Sequence, residues 1–347
     1  MADQEPSVLH VLPYPGGGGE TYINQLARMD GYHFETTFVT PGPTHSPAVL
    51  AGGMRAQLSG RSSDLLHVQG EVAAALCLPS LALRPSVLTI NGLHLVRRLE
   101  GWRRRLAVAN LRLIVRAASR TICVGDAEFD EVESLVDSAR LVLVRNGVDP
   151  VPRPTIEERA AARTALGIPA ERRVGLYLAA LDPHKEPITV ARAALDAVRK
   201  GAPLVLLFAG DGPLRKELEA LAGDDAVLRL VGFQSDVRHV LAASDFFVLP
   251  SRREGLSFAL LEAMAAALPP VVSDAPGNPD AVGDAGIVVR QGDIEGFRAA
   301  FERLTLDETE RERLGERARQ RVAERFDTHQ MLEGTRAVYE DVLEVAR

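Results

Sequence analysis

Two cysteines in 347 residues, Cys77 and Cys123, lie in separate apolar segments, so a disulfide-stapled scaffold is excluded and both read as small buried hydrophobes. No apolar run approaches the ~18 residues of a membrane span. The nearest, Val72–Leu83, contains Pro79. There is no excess of positive charge: the net charge is −7, which argues against a chain built to coat nucleic acid. Met1–Ser7 is polar and acidic, without the basic and apolar regions of a signal peptide, and a cytoplasmic location is the default expectation. Also missing are a short repeat of solenoid length, a low-complexity tract, and a G-x-G-x-x-G followed by a ribose-binding acid. The last absence removes the dehydrogenase class.

What remains is ordinary globular composition, 46% hydrophobic and 25% charged, at a length that suggests about two domains. Ser7–Leu12, His33–Val39, Leu65–Val68, Val87–Ile90, Thr121–Val124 and Leu141–Val144 are too apolar to alternate, as expected of parallel strands covered on both faces. Amphipathic stretches at Glu20–Arg28, Val72–Leu83, Leu95–Ala118 and Ala127–Val136 separate them. Three prolines between Pro150 and Pro154 then break the pattern. The same grammar restarts with strands at Val174–Ala180, Leu204–Ala209, Val227–Val231, Phe246–Leu249, Pro270–Ser273 and Ile287–Val289. The expectation is an α/β protein of two doubly wound, Rossmann-like domains, 1–150 and 151–325, facing across a cleft where strand C-terminal ends meet. A last helix, 326–347, is expected to cross back onto the first domain.

The densest local signal is Pro250-Ser-Arg-Arg-Glu-Gly-Leu-Ser-Phe-Ala-Leu-Leu-Glu-Ala-Met-Ala265. A strand ends at Leu249, and a helix is expected to begin near Leu256–Ser257. The amides of Gly255, Leu256 and Ser257 would then be unpaired donors suited to a diphosphate. Glu254 and Glu262 lie roughly 12 Å apart along such a helix, enough to span a sugar and a ribose. Glu262 sits among Leu260, Leu261, Ala263, Met264 and Ala265, where a carboxylate needs a partner. The run Gly16, Gly17, Gly18 and Gly19, between a strand and a helix, offers a second set of loop amides to an anion, although a plain connector reads equally well.

In these residues the chain resembles glycosyltransferase family 4, retaining nucleotide-sugar transferases of the GT-B fold. The Glu254-x₇-Glu262 block carries the resemblance, and it continues through "LPPVVSDAPGNPDAVGDAGIVV", Asn146-Gly-Val-Asp149, Ala209-Gly-Asp-Gly-Pro213, Val231-Gly-Phe233 and Gly16–Gly19-Glu20. The resemblance implies that Glu254 holds sugar hydroxyls and Glu262 ribose hydroxyls. It implies further that backbone near Gly232 and Phe233 reads the base, that Gly210 belongs to the donor site, and that the loop of Gly16, Gly17, Gly18 and Gly19 closes over phosphate. It also implies front-face transfer with retention, the diphosphate helping to take the acceptor's proton. No D-x-D triplet offers ligands for a metal on the diphosphate, so no metal and no cofactor beyond the nucleotide sugar, UDP- or GDP-linked, is expected. The acceptor is left open among a glycan, a lipid-linked sugar and a small molecule.

Two departures stand out. The family's phosphate-binding arginine, five residues before a lysine, is replaced: Lys185 is present, but Ala180 stands at the arginine position. A charge-assisted phosphate contact is worth roughly 1.5–3 kcal/mol, so its loss asks for a substitute. Arg252 and Arg253 are candidates, His184 a weaker one. After the strand Val87–Ile90, Asn91 stands where many members place a sugar-contacting histidine; it can hydrogen-bond a hydroxyl but cannot shuttle a proton. His94 and His67 are the nearest alternatives. These losses keep open a weak or inactive member acting as a partner subunit, against which the retained Glu254, Gly255, Glu262 and Lys185 argue.

Residues 94–120 carry eight arginines against the single acid Glu100, in a molecule that is acidic overall. With Trp102, Leu106, Leu111, Ile114 and Val115 on the same stretch, this reads as a solvated helix face or as a contact to anionic lipid at the inner membrane surface.

Overall fold

Apolar strands that bury both faces need helices on both sides, and this is how the chain folds. The computed structural model describes residues 5–40, 51–53, 55–56, 63–136, 139–223 and 227–346; Met1–Gln4, part of the N-terminal segment read above, lie outside the described residues. The chain divides into two units, one of Met1–Asn146 with Thr328–Arg347, the other of Gly147–Asp327.

The first unit runs β1 (Ser7–Leu12), α1 (Gly17–Leu26), β2 (His33–Phe38), β3 (Leu65–Gln69), α2 (Gly70–Leu76), α3 (Leu78–Leu83), β4 (Ser86–Ile90), α4 (His94–Arg98), α5 (Gly101–Ala117), β5 (Arg120–Cys123), α6 (Asp126–Leu135) and β6 (Leu141–Leu143). Its sheet is parallel, in the order β2-β1-β3-β4-β5-β6. β3 and β4 are buried throughout. β2 is the exception: an edge strand with a polar centre, Glu35-Thr-Thr37, it has no fully buried residue. Cys77 and Cys123 are free and buried.

Two helices read as continuous are each broken. Pro79 has no amide to donate and suits only a first helical turn, so 72–83 splits at Cys77 into α2 and α3. The arginine-rich stretch splits because Leu99 and Glu100 are extended and Gly101 has φ +56.

The second unit runs α7 (Ile156–Ala165), β7 (Arg173–Leu178), a 3₁₀ turn (Pro183–Lys185), α8 (Pro187–Arg199), β8 (Leu204–Ala209), α9 (Arg215–Ala222), β9 (Leu228–Gly232), α10 (Arg238–Ala243), β10 (Phe246–Leu249), α11 (Phe258–Ala265), β11 (Pro270–Ser273), α12 (Asn278–Val282), β12 (Ile287–Val289), α13 (Ile294–Leu306) and α14 (Glu308–Arg325). α15 (Thr328–Val345) belongs to the first unit. The order β12-β11-β10-β7-β8-β9 is parallel and doubly wound. β7 and β10 are its central neighbours, where the winding reverses direction, and the crevice beyond their C-terminal ends is where such sheets place ligands. At the opposite end of the same two strands, buried Asp245 accepts from Val174 N (2.7 Å) and from Arg159 and Arg163 (2.5 and 2.6 Å), locking that end of the sheet.

Candidate functional site

The segments that leave β7 and β10 at the switch point carry Lys185 and Glu254. Lys185 Nζ lies 2.6 Å from Glu254 Oε1, and only 5% of Glu254 is exposed. Below them Tyr177 donates its hydroxyl to Ala180 O at 2.8 Å; burial, with the nearby Glu254 and Asp182 charges adding to it, holds its pKa well above the usual phenol range. Tyr177 therefore stays a neutral donor that pins the end of β7.

The backbone beside Lys185 is strained. Glu186 adopts a left-handed conformation, φ 53° and ψ 41°, one of two non-glycine residues with positive φ among the described residues. Its carboxylate accepts the Thr189 hydroxyl at 2.5 Å and pairs with Arg252, contacts that offset a cost of roughly 1 kcal/mol or more. Glu186 directly follows Lys185 and is the N-cap of α8, so the left-handed residue joins the turn that carries Lys185 to that helix. Arg252 is thereby committed to Glu186, and His184 Nδ1 to Asp182 (2.6 Å). Ala180 is exposed and offers no charge. Arg253, half-buried beside Glu254, has no carboxylate within ion-pair distance among the described residues.

Helix α11 starts later than its sequence suggested. Ser257 is the N-cap, its Oγ accepting from Leu260 N at 3.4 Å, because serine there satisfies an orphan amide that leucine cannot. The unpaired helical amides are those of Phe258 and Ala259; Gly255, Leu256 and Ser257 form the turn before them. This turn is possible only because Gly277, at φ +91, crosses it: a Cβ there would sit 2.0 Å from Gly255 O. Asn278 next to it is 1% exposed and gives its amide to Ser273 O and Oγ (3.2 and 3.3 Å), so it braces the crossing. Glu262 is largely buried on α11 with no side-chain partner among the described residues, and burial pushes its pKa up to about 7.

Gly210 is buried, and a Cβ on it would meet Ala179 O at 1.9 Å; its amide donates to Gly232 O at 2.8 Å. What this position needs is close backbone approach between the ends of β7, β8 and β9. Gly232 has φ +75, and Phe233 after it is 77% exposed.

In the first unit, the glycine run is not the loop that its composition suggested. Gly16 (φ +95) is the N-cap, with the Glu20 carboxylate 2.6 Å from its amide nitrogen. Gly17, Gly18 and Gly19 are helical and form the first turn of α1. The expectation of a four-glycine loop is therefore corrected. Burial of Tyr22, Ile23 and Leu26 fixes the helix, and the Glu20 carboxylate favours its N-terminal end, so Gly17, Gly18 and Gly19 are drawn into it. The Gly16 amide, read as open to an anion, is already met by an acid of the chain, whereas Gly18 is exposed on the first turn. Asn91, half-buried at the end of β4, donates through Nδ2 to Gln69 Oε1 at 2.8 Å. His94 is exposed at the start of α4. His67 is fully buried between Tyr339 and Thr89, so it is a core residue and not a ligand of an open site. Sequence reasoning missed two buried carboxylates that hold the 92–95 segment: Glu128 takes Gly92 N, and Glu71 takes Leu95 N at 3.0 Å. Burial raises them to about 8 and about 7. Their positions in the first turns of α6 and α2 were the available signal.

Comparisons with known proteins identify the family. Residues 158–321 match the family model for glycosyl transferases group 1, and residues 8–151 that for glycosyltransferase family 4. Glycogen synthase of Mycobacterium tuberculosis is 30% identical over 315 residues, 84% of this chain and 73% of that protein. The chain belongs to glycosyltransferase family 4. The UDP-Gal:alpha-D-GlcNAc-diphosphoundecaprenol alpha-1,3-galactosyltransferase of Escherichia coli is 32% identical over 203 residues, 55% of this chain, and the chain spans about half (52%) of that relative's length. Among solved structures, Anabaena Alr3699/HepE in complex with UDP and glucose superposes with a TM-score of 0.79 at 18% identity, over 95% of this chain and 98% of that one. At that identity the likeness shows the fold, which is GT-B in class.

Glu262 makes stability depend on pH in a defined direction. Below its unfolded pKa both states hold the proton and there is no effect; as pH rises from about 4.5 to about 7 the unfolded chain releases it first, so the folded state loses stability. Glu262→Gln is expected to match the unmodified protein near pH 4 and to exceed it by about 2–3 kcal/mol at pH 8 in urea unfolding. An equal difference at both pH values would refute this origin.

Proposed function

We propose that this family 4 protein transfers a hexose-type sugar from a nucleoside diphosphate, UDP or GDP, to a hydroxyl acceptor with retention and without a metal. The observation that carries the reading is the Lys185–Glu254 pair at the switch point of the second sheet, beside the open N-terminus of α11. The relatives add support: the bacterial galactosyltransferase is named for a UDP-sugar, and Anabaena Alr3699/HepE holds UDP and glucose.

In this reading Lys185 turns from Glu254 to the diphosphate, and the freed Glu254 carboxylate accepts sugar hydroxyls. The amides of Phe258 and Ala259 meet the phosphate, Arg253 stands in for the arginine replaced by Ala180, and Glu262 accepts the ribose hydroxyls. Gly232 and exposed Phe233 border the base. The bond from the anomeric carbon to phosphate oxygen breaks with its electrons going to the diphosphate, the acceptor oxygen bonds the same face, and its proton passes to the departing phosphate. In the first unit, Asn91 and His94 are assigned to hydroxyls of the reacting sugars. The acceptor is a glycan, a lipid-linked sugar or a small molecule.

A panel of UDP-, GDP-, ADP- and dTDP-sugars, read by thermal shift and then by turnover, tests this. A true donor at ~100 times its Kd adds roughly 2.7 kcal/mol of stability. Turnover is expected to survive chelator, with an anomer of unchanged configuration by NMR. Inversion would defeat the mechanism, and binding without transfer or donor hydrolysis would favour the partner-subunit reading.

The surface of α5 extends the proposal to an anionic membrane. Trp102, Leu106, Ala109 and Leu113 recur at helical spacing on one exposed stripe, and Arg105, Arg112 and Arg116 flank it. Arg103 stacks over Trp102 at 5.5 Å. Among the described residues, none of Arg98, Arg103, Arg104, Arg105, Arg112 and Arg116 has a carboxylate partner, whereas Arg97 pairs with Glu131 and Arg120 with Asp341. An unneutralised basic flank beside exposed tryptophan and leucine suits anionic headgroups. The protein is expected to float with vesicles of phosphatidylcholine and phosphatidylglycerol, not with phosphatidylcholine alone. Equal absence from both removes the membrane contact.

A further inference from the structure

Asn91 ends a chain of hydrogen bonds that starts on the last helix. The Tyr339 hydroxyl on α15 lies 2.6 Å from His67 Nδ1. His67 Nε2 lies 2.6 Å from Thr89 Oγ1 and 3.1 Å from Gln69 Nε2, and Gln69 Oε1 receives Asn91 Nδ2 at 2.8 Å. Strand register builds this chain, since Gln69 of β3 is paired with Thr89 of β4. His67, Gln69 and Tyr339 are all buried.

Every member is neutral. Burial, reinforced by neighbouring His10, holds the His67 pKa well below the usual imidazole range, and burial holds Tyr339 well above the usual phenol range. His10, its ring 5.0 Å from that of His67, is kept neutral in the same way, its pKa lowered to about 3. No charge moves along the chain; it transmits hydrogen-bond polarity. A glutamine side chain has one donor end and one acceptor end. With the Gln69 amide nitrogen on His67, Nε2 bears the lone pair, which the Thr89 hydroxyl also meets as a donor, and the ring proton sits on Nδ1, directed at the Tyr339 oxygen. With Gln69 Oε1 filled by Asn91 Nδ2, the Asn91 carbonyl oxygen is the atom left over, without a partner among the described residues. Turning one amide alone would set like against like and leave buried groups unmatched, at roughly 1–3 kcal/mol each.

We propose that Gln69 and His67, anchored by Tyr339, are positioning residues that fix Asn91 with its carbonyl oxygen presented, so that this position takes a hydrogen-bond donor such as a sugar hydroxyl and rejects carboxylate or phosphate. The ligand class rests on the proposed transferase reading; the polarity of the chain does not.

Long-range ¹H–¹⁵N correlation spectra of the full chain with labelled histidine test the polarity. His67 is expected as the neutral Nδ1–H tautomer. Asn91→Asp replaces the inward donor by an acceptor, which turns Gln69 and moves the His67 proton to Nε2. An Nε2–H tautomer in the unmodified chain, or an unmoved proton in Asn91→Asp, overturns the proposal. On the transferase side, Gln69→Leu is expected to lower kcat about tenfold with donor KM unchanged, and to cost nothing further in an Asn91→Ala background. Independent, additive losses would overturn the positioning role. Absence of all transfer by the unmodified chain would strike the transferase reading instead, while the tautomer measurement would still decide the chain's polarity.

Discussion

Burying a lysine and a carboxylate costs several kcal/mol in lost hydration for each ion, which mutual attraction repays only when the geometry is close. Lys185 and Glu254 meet that condition at 2.6 Å, and much of the second unit is arranged to let them. The left-handed residue Glu186 directly follows one partner; the passage of Gly277 over Gly255 shapes the loop of the other; Tyr177 fixes the strand end beneath both. Helix α11 begins a few residues beyond, so the pair lies beside a helix N-terminus that attracts negative charge. In the proposed reading an anion arriving there competes with Glu254 for the same ammonium and the displaced carboxylate becomes an acceptor, so that one ion pair would couple phosphate recognition to sugar recognition.

The first unit uses buried polar groups differently. Glu71 and Glu128 accept backbone amides on either side of His94 and so hold the segment after β4, while neutral His67 and Gln69 hold the side chain of Asn91. An asparagine at position 91, where the resemblance implies a histidine, is a group that does not titrate and whose orientation must be set by its neighbours. The polar core behind it has the composition to do so.

The strands were legible because their apolar runs are short and bounded by turn residues; most ends agree within one residue, and Val174–Ala180 ends early at Leu178 because the chain there turns toward Lys185. The Glu254–Glu262 block could be singled out from spacing and residue type, and Lys185 only from the resemblance to the family. Other features were not, and each for a physical reason. The Glu186 strain is a local conformation imposed by partners 3 and 66 residues away, Thr189 and Arg252. Gly277 matters only through a crossing with Gly255. Gly17, Gly18 and Gly19 fold as helix despite poor intrinsic propensity, because α1 is fixed by Tyr22, Ile23 and Leu26 in the core. The breaks at Cys77 and Leu99–Glu100 were signalled by Pro79 and Gly101, but helical periodicity on both sides masked them.

Titration calorimetry of a nucleoside diphosphate against the unmodified protein and Lys185→Met bears most directly on the ion pair as the phosphate-binding element. Loss of a charge-assisted contact of roughly 1.5–3 kcal/mol predicts binding at least about tenfold weaker in the variant, which keeps its fold but melts lower because buried Glu254 loses the cation that repays its burial. Unchanged affinity in a folded Lys185→Met protein would contradict the account.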